Sequence, residues 1–329
     1  MPPPVHSTKP AAAADGYSGT NAMACSELAE AAYLPPDKFK KVAQRLGYTD
    51  VRFHTNGSSQ AYVAVNGDKV VVAFRGTEPT KLADWVEDAK VLGKSTFGSE
   101  TAGQPAGLVH RGFEEATQKV WSGPNGISAE LKQLVAENPK RSILVTGHSL
   151  GGAMATLATA EMFKEKLPLK GTYVFGCPLV GDKSFGTWFE KNIPGYYPHQ
   201  KQNDVVTRVP RILNWEPLGT KQLRYLTGDG NVIVGAGYFD KLSDRALGRL
   251  DSFVPKAEKM LDYGIDRGGL AARVAWHETK KVFTEVTGEK PHSEGMSFAQ
   301  IWETDGIRDH DMDGYRKSVI VTNISSPTP

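Results

Sequence analysis

Apolar and polar positions change their period several times along the chain, and each change marks a predicted element. From Asn21 apolar residues recur at helical spacing, with Asn21 as the candidate cap; Pro35-Pro36 ends this run and a second helical stretch continues to Gly47. Residues 50–75 alternate instead, and they contain Asn56-Gly57 and Asn66-Gly67, dipeptides that supply the positive φ angles of tight hairpin turns. Three antiparallel strands are therefore predicted, the last ending in Val70-Val71-Val72-Ala73-Phe74. Beyond them, helical stretches near 112–121, 127–137, 150–166 and 183–192 interleave with apolar runs at 142–146 and 172–176. This interleaving predicts an α/β fold with a central, mostly parallel sheet covered by helices. Gly93 to Gly107, rich in Gly, Ser and Thr, reads as a flexible loop.

Composition narrows the picture. A chain of 329 residues with 40% hydrophobic and 23% charged residues fits one large core and excludes disordered, collagen-like and coiled-coil classes. The net charge of +2 provides no field to attract nucleic acid or an anionic membrane. No stretch approaches the roughly 18 apolar residues of a membrane span. The N-terminal stretch also lacks the apolar run of a signal peptide, so the expected location is cytoplasmic or exported without a recognisable signal. Residues 1–18 and 324–329 are expected as tails and 19–323 as one domain. Within it, residues 236–302 carry ten basic and ten acidic residues with helical spacing at Leu242, Ala246, Leu250 and Phe253. They read as a helical insertion that caps a pocket or packs on the sheet edge. Cys25 and Cys177 allow at most one disulfide. Oligomeric state is not constrained.

The sharpest chemical signal is Ile143-Leu144-Val145-Thr146-Gly147-His148-Ser149-Leu150-Gly151-Gly152, followed by the helix-forming Ala153 to Ala158. A buried strand, a G-x-S-x-G turn and a helix in succession present a serine hydroxyl above a sheet. Small residues two before and two after the serine let strand and helix approach. The Leu150 N–H, at the start of the new helix, points toward the oxygen of a tetrahedral intermediate. A serine so placed needs a histidine to take its proton and a carboxylate to orient that histidine.

Several further motifs, in order, carry a resemblance. Phe74-Arg75-Gly76-Thr77 lies at a strand end, followed by Val109-His110-Arg111-Gly112-Phe113, the serine turn, Tyr173 to Asp182, and Gln202-Asn203-Asp204-Val205-Val206-Thr207-Arg208-Val209-Pro210. From about residue 20 to 215 this series resembles the class 3 (fungal-type) lipases of the α/β-hydrolase superfamily. The resemblance implies an α/β-hydrolase fold and a triad of Ser149, Asp204 and His310, with His310 in the pattern of a histidine followed a few residues on by Tyr315. It implies oxyanion donors at Thr77 and Leu150, and an amphipathic lid over Glu78 to Asp88 with Leu82, Trp85 and Val86 on its apolar face. Leu179 departs from the family, which often has arginine there, and 106 residues separate Asp204 from His310, more than in compact members.

Other residues compete for these roles. His292 is the alternative base, His277 reads as a helix-surface residue, and His110 and His199 read as structural. Asp182 is the alternative acid but fits a helix cap better. Asp309-x-Asp311-x-Asp313-Gly314 copies half of an EF-hand loop, yet its twelfth position is Ile320, so no metal is expected. No organic cofactor is implied. The expected activity is hydrolysis of acylglycerol or related lipid esters, with a lipid or ester partner at a lipid–water interface. The alternatives are a phospholipase A-type enzyme and a lipase-like scaffold without turnover.

Overall fold

The computed structural model describes residues 16–78, 93–98, 106–202, 204, 206–210, 215, 217–227, 231–236, 310–312, 315, 316 and 319. Helix α1, Gly19–Ala31, is capped by Ser18, whose hydroxyl accepts the Asn21 N–H at 3.2 Å. The cap is therefore Ser18 rather than Asn21. Tyr17 is also packed, edge-on to Tyr197 at 5.3 Å and beneath the Arg224 guanidinium at 3.8 Å, so folded chain begins slightly before the expected tail boundary. Pro36 opens α2, Pro36–Arg45, where the missing proline N–H costs no hydrogen bond.

Strands β1, Asp50–Asn56, β2, Ser59–Asn66, and β3, Lys69–Phe74, form the expected antiparallel meander. Next come β4, Lys94–Phe97, and β5, Gly107–His110. They pair antiparallel, which corrects the reading of Gly93 to Gly107 as loop throughout. Helix α3, Arg111–Trp121, and α4, Ile127–Glu137, lead into β6, Ser142–His148, and α5, Leu150–Lys164. Then follow β7, Leu169–Phe175, α6, Lys183–Asn192, β8, Tyr196–Lys201, and the short β9, Arg224–Leu226, and β10, Val232–Val234.

Eight strands make one sheet in the order β1-β2-β3-β6-β7-β8-β9-β10. From β3 to β9 neighbours are parallel; two antiparallel pairings, β1–β2 and β2–β3, close one end and one, β9–β10, the other. Strand alternation sends one set of side chains to each face. Val70, Val72 and Phe74 face a core shared with α3, α4, α5 and α6, through Phe113, Leu131, Ala158 and Phe189. Val71 and Ala73 face a second core shared with α1 and α2, through Leu28, Phe39 and, from the far end of the chain, Tyr315 and Val319. Cys25 belongs to the second core and Cys177 packs against the first, and both thiols are free.

Among the described residues no helix is long and apolar enough to cross a membrane. The expected lid residues Leu82, Trp85 and Val86 lie outside the described residues. So do residues 324–329 and, apart from Ala236, the expected insertion.

Candidate active site

Strand register brings the candidate groups to one edge of the sheet. Phe74 pairs with Gly147, and Phe175 pairs with His148 on one side and His199 on the other. The carboxyl ends of β3, β6, β7 and β8 are thus level, the position where open α/β sheets place their sites. Residues 75–77 leave β3 there. A side chain at Gly151 would run into the Phe74 carbonyl oxygen at 2.3 Å, so this loop lies directly on the first turn of α5.

Ser149 joins β6 to α5 with φ 59° and ψ −131°, a strained geometry for a residue with a side chain, costing on the order of 1–3 kcal/mol. The turn is held by the Ser149 N–H, which donates to the Phe175 carbonyl at 3.0 Å, and by the Gly152 N–H, which donates to the Ser149 carbonyl at 2.8 Å. Ser149 is 1% exposed, yet its hydroxyl has no hydrogen-bond partner among the described residues. The first N–H groups of a helix have no intrahelical acceptor, so the Leu150 N–H is available beside it. Thr77, in the loop after β3, is half-buried.

Asp204 and His310 form a buried pair, His310 Nδ1 lying 2.7 Å from Asp204 Oδ2. The carboxylate can only accept, so Nδ1 carries the hydrogen and Nε2 keeps its lone pair. Nε2 is the second buried atom here with no partner among the described residues. Two further donors converge on the carboxylate: the Tyr315 hydroxyl on Oδ2, and the Val206 N–H on Oδ1 at 2.8 Å. Burial raises the cost of the carboxylate charge, but the His310 imidazole and the hydrogen bonds from His310 and Tyr315 outweigh it. Asp204 is held below the ordinary carboxylate range. Gly176, at φ +56°, passes beneath this pair, and a Cβ there would lie 2.6 Å from His310 Cε1 and 2.9 Å from Asp204 Oδ2.

Two residues without an expected role complete the cluster. His148 stacks its ring on that of His310 with centroids 4.3 Å apart. Its Nε2 lies 2.7 Å from the His310 carbonyl oxygen, and its Nδ1 lies 2.8 Å from the Tyr33 hydroxyl. His148 is visible inside the serine motif, but nothing in the sequence connects it to Tyr33, 115 positions away.

The competing residues take other places. Asp182 caps α6, accepting the Phe185 N–H at 2.9 Å and the Leu108 N–H at 3.1 Å. His110 ends β5, and His199 lies inside β8, where burial and the nearby Arg224 push its pKa down to about 3. His277, His292, Asp309 and Asp313 lie outside the described residues, among which no group of His, Cys, Asp and Glu could hold a metal.

Residues 71–214, which span the sheet from β3 through the serine turn and the Asp204 loop, match the family model for lipase (class 3). Over these residues, somewhat less than half of the chain, it is similar to the class 3 lipases. Among curated proteins, it is 33% identical over 156 residues to secreted mono- and diacylglycerol lipase 1 of Fusarium solani, covering 46% of this chain and 43% of that protein. It is 33% identical over 202 residues to phospholipase A1-II 4 of Oryza sativa subsp. japonica, covering 54% and 50% respectively. The chain spans about half the length of the curated relatives it matches. Among solved structures, Lip2 lipase from Yarrowia lipolytica superposes with TM-score 0.53 at 20% identity, over 66% of this chain and 83% of that one. Lipase II from Rhizopus niveus gives 0.51 at 20% identity, over 65% and 81%. These neighbours share the α/β-hydrolase fold, its mostly parallel sheet flanked by helices.

Proposed function

We propose that this chain is a serine ester hydrolase of the class 3 lipase type, cleaving acylglycerols or related lipid esters through Ser149, His310 and Asp204. The observation that carries the reading is the coincidence of a buried, unpartnered serine hydroxyl and a buried, unpartnered imidazole Nε2 whose ring is oriented by a carboxylate. Buried polar groups ordinarily find partners, and two left open in one cluster await a third molecule.

In this reading Ser149 Oγ attacks the ester carbonyl carbon as its proton passes to His310 Nε2. Asp204 holds the imidazole in the required tautomer and stabilises the imidazolium that forms. The negative charge on the former carbonyl oxygen is met by the N–H groups of Leu150 and Thr77; each such donor is worth about 10²–10³ in rate. When the tetrahedral species collapses, the C–O bond to the alcohol breaks and His310 returns the proton to the departing oxygen, leaving the acyl group on Ser149. Water repeats the sequence and releases the fatty acid. The relatives named as mono- and diacylglycerol lipase and phospholipase A1 support a lipid ester as substrate, and action at a lipid–water interface is part of the same proposal.

The test is fatty-acid release by wild type and Ser149→Ala from soluble short-chain esters, emulsified acylglycerols and phospholipid vesicles. Release from esters and emulsion should fall by on the order of 10⁶-fold in the variant, with folding unchanged. Release from vesicles alone would make the enzyme a phospholipase. Equal release by both proteins would remove Ser149 as nucleophile, and no release by either would make the chain a scaffold.

A further inference from the structure

We propose that Tyr33 and His148 are positioning residues for His310, forming a relay from the α1–α2 connection to the backbone of the base. The inference rests on the reading of His310 as that base. Directionality follows from the partners. A carbonyl oxygen only accepts, so the contact of His148 Nε2 with the His310 carbonyl at 2.7 Å requires a hydrogen on Nε2. The neutral ring then has a lone pair on Nδ1, which accepts the Tyr33 hydroxyl hydrogen at 2.8 Å. Tyr33 thereby selects the tautomer that donates to the base.

One hydrogen bond on its ring leaves a histidine free to swing about that bond. His310 is held at two points: Asp204 grips its Nδ1 and His148 grips its main chain. The second grip comes from the residue immediately before Ser149. Any movement of the serine turn therefore carries the strut to the base with it, and the two reacting atoms keep their relative placement. The Tyr33 hydroxyl also touches the third part of the site. A Cβ at Gly76 would lie 2.2 Å from Tyr33 Oη and 2.5 Å from the His148 carbonyl oxygen, so the loop bearing Thr77 rests on both.

Charge fits the same role. Burial first, and then the adjacent His310, push the pKa of His148 down to about 3. A neutral ring stacked 4.3 Å from His310 does not oppose the positive charge that His310 acquires on taking the serine proton, whereas a second imidazolium there would.

The experiment compares Tyr33→Phe, His148→Leu, His148→Gln and His310→Ala by kcat and KM on a soluble short-chain ester, with thermal midpoints alongside. His148→Leu should lose about 100-fold in kcat, the scale of a small misplacement of reacting groups. KM should stay within about two-fold, because binding in the ground state is untouched. Tyr33→Phe, which removes one oxygen, should lose about ten-fold in kcat. His148→Gln keeps a donor for the His310 carbonyl and should recover most of the loss. His310→Ala should fall to the level of Ser149→Ala. Wild-type kcat in Tyr33→Phe, or a Gln variant no better than Leu, overturns the relay while leaving the base in place. A fully active His310→Ala protein removes the base reading itself. Should His148→Leu fail to fold, the Tyr33→Phe and His148→Gln comparison still decides.

Discussion

Ser149 is fixed by the chain that surrounds it in sequence: β6 before it, α5 after it, and a turn closed by bonds from its own N–H and carbonyl. Among the described residues His310 is held instead by Asp204, Gly176 and His148, each more than a hundred residues earlier in the chain. In the proposed roles, a nucleophile built locally survives changes elsewhere in the fold, whereas a base built from distant contacts fails when any one of several elements shifts. Perturbations should therefore divide the site in two.

The largest division is expected from Asp204→Asn, which keeps the shape but lets the amide stabilise the wrong imidazole tautomer. Ester turnover should drop by about 10⁴-fold. The serine turn should be intact, as a stopped-flow binding assay with a non-hydrolysable ester analogue would report. Unchanged turnover would mean that His310 needs no carboxylate.

Gly176→Ala probes the same region by crowding. At φ +56° and with His310 and Asp204 within 3 Å of the new methyl, it should lose at least 100-fold in kcat, the cost of displacing a reacting group. Gly123→Ala is the control. Its φ of +90° imposes strain, but nothing lies within 4 Å, so it should cost about 1 kcal/mol of stability and no activity. Equal kinetics in the two variants would show that the base region tolerates displacement.

A smaller effect should appear in stability against pH. His148 and His199 are held neutral in the fold with pKa values pushed down to about 3, by burial foremost and then by His310 and Arg224 respectively. An unfolded histidine takes its proton near pH ~6.5, so between that value and about 3 the unfolded chain binds protons that the folded one refuses. Stability should fall as pH falls through this window. Asp204, held below its ordinary range, adds a further loss as pH drops through its folded value. The thermal midpoint of His148→Gln should decline less steeply than that of wild type over the same window. Parallel curves would place the proton uptake elsewhere. The smallest effect belongs to the Arg316–Glu30 ion pair at 2.9 Å, which ties the chain after His310 to α1 at the surface. Arg316→Ala should cost less than ~1 kcal/mol by denaturant titration, as exposed pairs do.

The same contrast explains which parts of the fold are legible in the sequence. The serine turn, the two Asn-Gly hairpins and the four helices after β5 announce themselves within short windows, because glycine pairs and helical periodicity act locally. β8 does not. Tyr196-Tyr197-Pro198-His199-Gln200-Lys201 is neither an apolar run nor an alternation, and a proline argues against an interior strand, yet it lies between β7 and β9. It is buried through aromatic rings stacked across strands, such as Phe175 on His199 at 4.6 Å. β4, β9 and β10 are three or four residues long, too short to show a period. Asp204 and His310 are legible only through the motif pattern of the lipase family, since no local rule joins residues 106 positions apart. Tyr33 leaves no trace in the sequence, for its importance lies wholly in the residue it touches.

The order in which the chain is made gives the two-core sheet one more meaning. α1 and α2 come first, the serine turn follows, and His310 arrives 162 positions after His148, on the same face that α1 already covers. In the proposed roles, the residues of the serine turn are made well before the imidazole that would activate Ser149. A growing chain would then be chemically silent toward esters, and only one that has reached His310 would be armed.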